Sequence, residues 1–127
     1  MKNLAEKISN AELAIMQVIW AADGPLNYAQ IRQAMRGGAK QTIQTLITRL
    51  VSKGVLAQEK REVYYYNPLV SEQEYAAVST RELMARVYKG SAKELVATLF
   101  KEYRFSAEEI AELKRFWDEL EGGENRD

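Results

Sequence analysis

The sequence predicts a mainly α-helical chain with one small β-hairpin, on three observations. The pattern Ser-x-x-Glu recurs at Ser9–Glu12, Ser71–Glu74, Ser91–Glu94 and Ser106–Glu109, each time just ahead of an apolar run of helical period. In such a capping box the serine oxygen accepts from an orphan backbone N–H and the glutamate reaches back to the cap, so each match marks a helix start. Between the first and second of these boxes, Val63-Tyr64-Tyr65-Tyr66 carries the aromatic and β-branched content that strands prefer. After Pro68 only helical periodicity appears.

The elements follow in order. The first helix is expected over Asn10–Ala22, with Leu13, Met16, Val18, Ile19 and Trp20 toward the buried side, and Asp23-Gly24-Pro25 ends it. Asn27 with Gln30 is a weaker capping box for a short second helix, Tyr28–Met35, which faces Ile31 and Met35 inward and breaks at Gly37-Gly38. The third helix runs Lys40–Lys53 and stops at Gly54, a favoured residue just past a helix end. Strands are expected over Val55–Glu59 and Glu62–Asn67, joined by a tight turn at Lys60-Arg61, with Tyr65 inward and Tyr64 and Tyr66 outward. Three further helices follow: Glu72–Tyr88 stopped by Gly90, Ala92–Tyr103, and Ala107–Leu120. The expected organisation is a head over residues 1–70, a helical tail over 71–121 and a disordered polar end over 122–127.

Composition narrows the function. The 127 residues, 46% hydrophobic and 28% charged, suffice for a folded core. With 0 His and no cysteine, disulfides, a cysteine nucleophile, a Ser-His-Asp triad and thiolate or imidazole zinc sites are excluded. No calcium-loop spacing, phosphate-binding glycine loop or catalytic carboxylate pair can be placed, and Glu108-Glu109 reads as helix N-terminal charge. The expectation is a non-enzyme without metal or cofactor. Residues 1–10 contain no signal-like apolar run, and the longest apolar stretch, Val18–Ala22, falls far short of the ~20 residues of a membrane span. A cytoplasmic protein without stable membrane association is expected.

Zero net charge hides an asymmetry. Residues 1–70 hold nine basic and five acidic side chains; residues 71–127 hold nine and thirteen. From Gly24 to Gln58 there is no acidic residue, while Arg32, Arg36, Lys40, Arg49 and Lys53 are all present. A basic, acid-free stretch suits a surface that faces a polyanion, because each phosphate neutralised releases condensed counterions.

The third helix is the informative one. Ile43, Leu46, Ile47 and Leu50 recur at core spacing, and the opposite face is Gln41, Thr42, Gln44, Thr45, Thr48, Arg49 and Ser52. A merely solvated face favours Glu and Lys, which are better helix formers than Thr. Hydroxyls and amides reach base edges and sugars, and a threonine methyl can touch a thymine methyl. Lys40 and Arg49 are placed to reach flanking phosphates. A short helix, a break, this helix and a hairpin together have the layout of a winged helix-turn-helix, with the third helix as reader. Lys60 and Arg61 at the wing tip then lie near the phosphate backbone, diluted by Glu59 and Glu62. Tyr64 either touches DNA or packs on the head.

At this point a resemblance becomes specific. Ile8 to Trp20, Thr42 to Leu50 with Lys53-Gly54-Val55-Leu56, and Val63 to Pro68 resemble the opening motif, recognition helix and wing strands of the penicillinase-repressor family. The resemblance covers most of the chain. It implies a winged-helix head, a helical dimerisation tail, and repression of genes through palindromic operators with a TACA/TGTA core. Two positions depart from it, Gln41 where familiar members have Lys and Glu62 where they have Arg. The copper-responsive branch ends in a cysteine motif, which this chain lacks.

The tail carries wide apolar stripes: Ala77, Leu83, Met84, Val87 and Tyr88; Leu95, Val96, Leu99, Phe100 and Tyr103; Ile110, Leu113, Phe116, Trp117 and Leu120. Three helices of this length cannot readily bury them alone. The expected partner is a second copy, joined through Leu83, Val87, Leu95, Val96, Leu99, Phe100, Ile110, Leu113 and Trp117, so that a two-fold protein meets two-fold DNA. The resemblance further implies a sensor-protease pathway that cuts the fifth helix at an Asn-Phe bond. The matching stretch, Ala97-Thr98-Leu99-Phe100, has no Asn. The competing expectation is a winged-helix module that binds protein, without sequence-specific DNA binding.

Overall fold

The computed structural model describes residues 8–36 and 40–124. Its elements, in chain order, are α1 (Asn10–Ala21), β1 (Leu26–Asn27), α2 (Tyr28–Ala34), α3 (Lys40–Ser52), β2 (Leu56–Lys60), β3 (Tyr64–Pro68), α4 (Glu72–Arg86), α5 (Ala92–Glu102) and α6 (Ala107–Glu124). The chain divides into two compact units, Met1–Leu83 and Met84–Asp127, with the boundary inside α4.

Local chemistry sets the helix starts. Ser9 Oγ accepts from the Glu12 N–H at 3.1 Å while Glu12 Oε1 accepts from the Ser9 N–H at 2.9 Å. The same reciprocal pair forms at Ser71–Glu74 and Ser106–Glu109, and at Asn27–Gln30 with amide oxygens in the two roles. At Ser91 the hydroxyl accepts from the Glu94 N–H. The end of α3 is a Schellman turn. Gly54 takes φ +79, its N–H reaches Val51 O, and the Val55 N–H reaches Leu50 O. A side chain at Gly54 would strain that left-handed backbone.

The first unit has one core. Ile15, Met16 and Ile19 of α1, Ile31 of α2, and Ile43, Leu46, Ile47 and Leu50 of α3 meet Val55, Leu56, Tyr66 and Val70. The inward face of α1 therefore includes Ile15, which the sequence reading passes over, and leaves Val18 only half-buried, outside this cluster. Trp20 lies at the core edge, donating from Nε1 to Val70 O at 2.8 Å, with its ring 5.8 Å from that of Tyr75. That pair ties the start of α4 to the end of α1.

The hairpin belongs to a three-stranded antiparallel sheet of order β1-β3-β2. The third strand, β1, is absent from the sequence expectation because two residues between Pro25 and a helix start carry no periodic signal. Leu26 pairs with Tyr66 and Asn27 with Tyr65. Paired residues share a face, so Tyr66 joins Leu26 on the core side and is 3% exposed. Tyr65 is thus on the outer face, reversing the expected orientation. The turn is also one step later than expected: β2 includes Lys60, and Val63 sits at the tip, exposed.

The helix ends differ in detail. The α2 helix stops at Ala34 and Arg36 takes φ 61, so the turn begins before the expected glycine break; Gly37-Gly38 lies outside the described residues. The α4 helix ends at Arg86, two residues short of Tyr88, with Lys89 and Gly90 at positive φ. The α6 helix continues through Gly122 to Glu124, so a disordered end is not seen at 122–124, and residues 125–127 lie outside the described set.

In the second unit the Phe100 and Phe105 rings meet edge-on at 5.2 Å. No residue of α5 is buried. Among the described residues no helix is long and apolar enough to cross a membrane.

Candidate nucleic-acid interface

The site is built on α3. Its inner face is closed by Ile43, Leu46, Ile47 and Leu50, none more than 8% exposed. The helix cannot rotate without exposing that row, so its outer face is held rigidly. Gln41, Thr42, Gln44, Thr45, Thr48, Arg49 and Ser52 are all exposed on it. Gln41, Thr42, Thr45 and Arg49, with Leu46, line one shallow depression. The Lys40 backbone opens the helix; its side chain lies outside the described set.

Two of the threonines are already engaged. Thr45 Oγ1 donates to Gln41 O at 2.8 Å, and Thr48 Oγ1 donates to Gln44 O at 2.9 Å. Such bonds to the carbonyl four residues back fix the χ1 angle of each side chain.

The wing brings its residues beside this face. Tyr64 is 44% exposed and lines a groove of about 430 Å³ with Gln44 of α3, Asn27, Tyr28 and Ala29 of the β1–α2 corner, and Val63. On the outer face of the sheet, Arg61 lies over the Tyr65 ring, 4.6 Å from its centroid, and pairs with Glu59 Oε1 at 2.9 Å. Both partners of that ion pair are about half exposed, so it is a weak surface bridge. The Asn27 amide donates to the Tyr65 hydroxyl at 3.4 Å. Lys60 is exposed at the end of β2.

Lys53, within the acid-free stretch, is met by an acid from outside it. Its Nζ lies 2.7 Å from Glu12 Oε1, and Glu12 is buried at the capped start of α1. Burial alone would raise the Glu12 carboxyl. The hydrogen bonds from Lys53 and from the Ser9 backbone, with the Lys53 charge, outweigh it and hold the carboxyl below its ordinary value. This pair escapes sequence reasoning, because its members lie far apart in the chain and Glu12 looks like an ordinary cap.

Most of the apolar tail residues expected at a dimer interface are exposed in the single chain. Val87, Val96, Leu99, Phe100, Ile110, Leu113 and Trp117 range from 38% to 62% exposed, and Leu83 and Leu95 are half-buried. Among the described residues no group of three or more acidic, His or Cys side chains is placed to hold a metal.

A buried three-helix core, a polar outer face on the third helix and a hairpin wing beside it define a winged helix-turn-helix protein. The penicillinase repressor family model matches residues 8–119. The chain is 32% identical over 122 residues to the penicillinase repressor of Bacillus licheniformis, covering 94% of each protein. It is also 32% identical over 117 residues to the methicillin resistance regulatory protein MecI of Mammaliicoccus sciuri, covering 90% of this chain and 95% of that one. The chain belongs to the penicillinase repressor family. Among solved structures, the DNA-binding domain of the repressor BlaI is 34% identical, spans 59% of this chain and 94% of its own, and superposes with a TM-score of 0.49.

Proposed function

We propose that this chain is a sequence-specific DNA-binding transcriptional repressor that acts as a homodimer on an inverted-repeat operator. The observation that carries the reading is the outer face of α3: amides, threonines and Arg49, all exposed, on a helix locked in place by its buried side. In the reading, Gln41, Thr42, Gln44, Thr45 and Thr48 face base edges and sugars in the major groove. Lys40, Arg49, Lys60 and Arg61 meet phosphates, and Tyr64 flanks the wing contact. The names of the relatives support control of a β-lactamase-type or other resistance or stress operon.

The second copy docks on the tail. Leu83, Val87, Leu95, Val96, Leu99, Phe100, Ile110, Leu113 and Trp117 form the interface, which removes from water apolar surface that one chain leaves exposed. Joining two heads makes the second half-site contact effectively intramolecular. Loosening or cutting the tail, as a sensor-protease pathway would, releases the operator without touching α3.

The test is binding of the full chain to duplexes selected from a random library. Selection should return an inverted repeat, bound with a log–log salt slope of about −0.9 per phosphate neutralised. Equal affinity for an isolated half-site and the full repeat would overturn the dimer reading. Binding no tighter than to unselected DNA would overturn sequence recognition.

A further inference from the structure

The two hydrogen bonds within α3 determine what its threonines have left to offer. A carbonyl oxygen carries no hydrogen, so Thr45 Oγ1 must supply the proton to Gln41 O, and Thr48 Oγ1 to Gln44 O. Each hydroxyl has one proton only. Held this way, each exposed threonine presents a methyl group and the lone pairs of its oxygen, and no donor. Thr42 has its corresponding carbonyl at Gly38, outside the described residues, and is left out of the assignment.

The major-groove edges sort sharply against such a side chain. Guanine shows two acceptors and so finds nothing to bond. Thymine shows a methyl and an acceptor; adenine shows an N6 donor; cytosine shows an N4 donor without a methyl. An A·T pair therefore meets both remaining features, the methyl against methyl and a lone pair against N6. A G·C pair meets a lone pair at best, and its guanine edge is left unsatisfied. Donors for guanine or phosphate on this face come instead from the Gln41 and Gln44 amides and the Arg49 guanidinium.

We infer that Thr45 and Thr48 are specificity-determining residues that read A·T pairs through their methyl groups, with their hydroxyl protons spent inside the helix. The inference rests on the proposed role of α3 as the recognition helix and assigns the chemistry by which it discriminates.

The experiment separates methyl from hydroxyl. Thr45→Val and Thr48→Val keep a methyl and lose the hydroxyl; Thr45→Ser and Thr48→Ser do the reverse. Both positions are exposed, and thermal melts of each full-length variant confirm that the fold is intact. Each variant and the parent are taken through the same selection from a random duplex library. The valine variants should return the parental A·T positions, and the serine variants should lose the preference at one position per half-site. Replacing the corresponding thymine by deoxyuridine, which deletes only the methyl, should weaken parental binding about fourfold, the factor that burying one methyl-sized group is worth. The same replacement should leave the serine variants unaffected.

Serine variants that keep the preference while valine variants lose it would show that the hydroxyl reads the base. If neither substitution changes the selected sequence, the two threonines do not face bases; either result overturns the inference and leaves the repressor reading standing. A parent that selects no sequence at all overturns that reading, and the inference with it.

Discussion

Lys53 Nζ lies 2.7 Å from Glu12 Oε1, joining the residue that precedes the Gly54 turn of α3 to the capped start of α1. Glu12 is 1% exposed and serves both the cap and the ion pair. The consequence for the site is double. The base that follows the end of α3 is engaged by Glu12, and α3 is pinned at that end.

The pair makes stability depend on acid. The folded Glu12 carboxyl is held below its unfolded value, so its contribution is complete above that unfolded value of 4.5 and is lost as pH falls through the folded one. Glu12→Gln retains a capping side chain and removes the charge. It should cost about 1–3 kcal/mol at neutral pH and flatten the acid limb of the stability curve. Denaturant melts from pH 3 to 7 check this; an acid limb identical in parent and variant would show that Glu12 does not carry it.

Arg49→Ala and Lys60→Ala should weaken binding to all duplexes alike. Each should reduce the magnitude of the log–log salt slope by about 0.9, the signature of one lost phosphate contact. Thr42→Ala should instead relax base preference, at roughly 1–3 kcal/mol if a base contact is lost. Titrations at several salt concentrations on selected and scrambled duplexes distinguish the two; an Arg49→Ala variant with the parental slope would remove Arg49 from the phosphate contacts.

Leu99→Asp places a charge in the apolar stripe of α5, where Leu99 is 39% exposed in the single chain. The chain should sediment as a monomer and lose operator occupancy by ~10²–10⁴, while the far-upstream head keeps its fold. A dimeriser of suitable geometry fused after Pro68 should restore binding. Ultracentrifugation that still shows a dimer would overturn the assignment of this stripe.

Chelation should leave operator affinity unchanged. The chain has no thiol or imidazole, and carboxylates alone are poor ligands for copper or zinc. Operator titrations with and without a chelator test it, and a stoichiometric loss of binding on metal removal would reveal a site of another kind.

Much of this protein is written in short-range pattern. The capping boxes at Ser9, Asn27, Ser71 and Ser106 form as expected because each is complete within four residues, and the 3.6-residue period alone separates the buried and exposed faces of α3. The composition of that outer face is equally a property of the sequence. Other features depend on which segments meet. The inward choice of Tyr66 over Tyr65 waits on strand pairing, since Leu26 opposite Tyr66 and the buried Leu56 opposite Pro68 set which face of β3 covers the core. The choice of Ile15 over Val18 depends on where α3 packs against α1. The burial of Glu12 with Lys53 joins residues whose separation no local rule spans. The spending of the Thr45 and Thr48 protons is a matter of rotamer, and the sequence names the hydroxyl without saying where it points. Local periodicity and capping act through neighbours along the chain and are legible there. Face, partner and proton are decided by neighbours in space, which only the tertiary structure supplies.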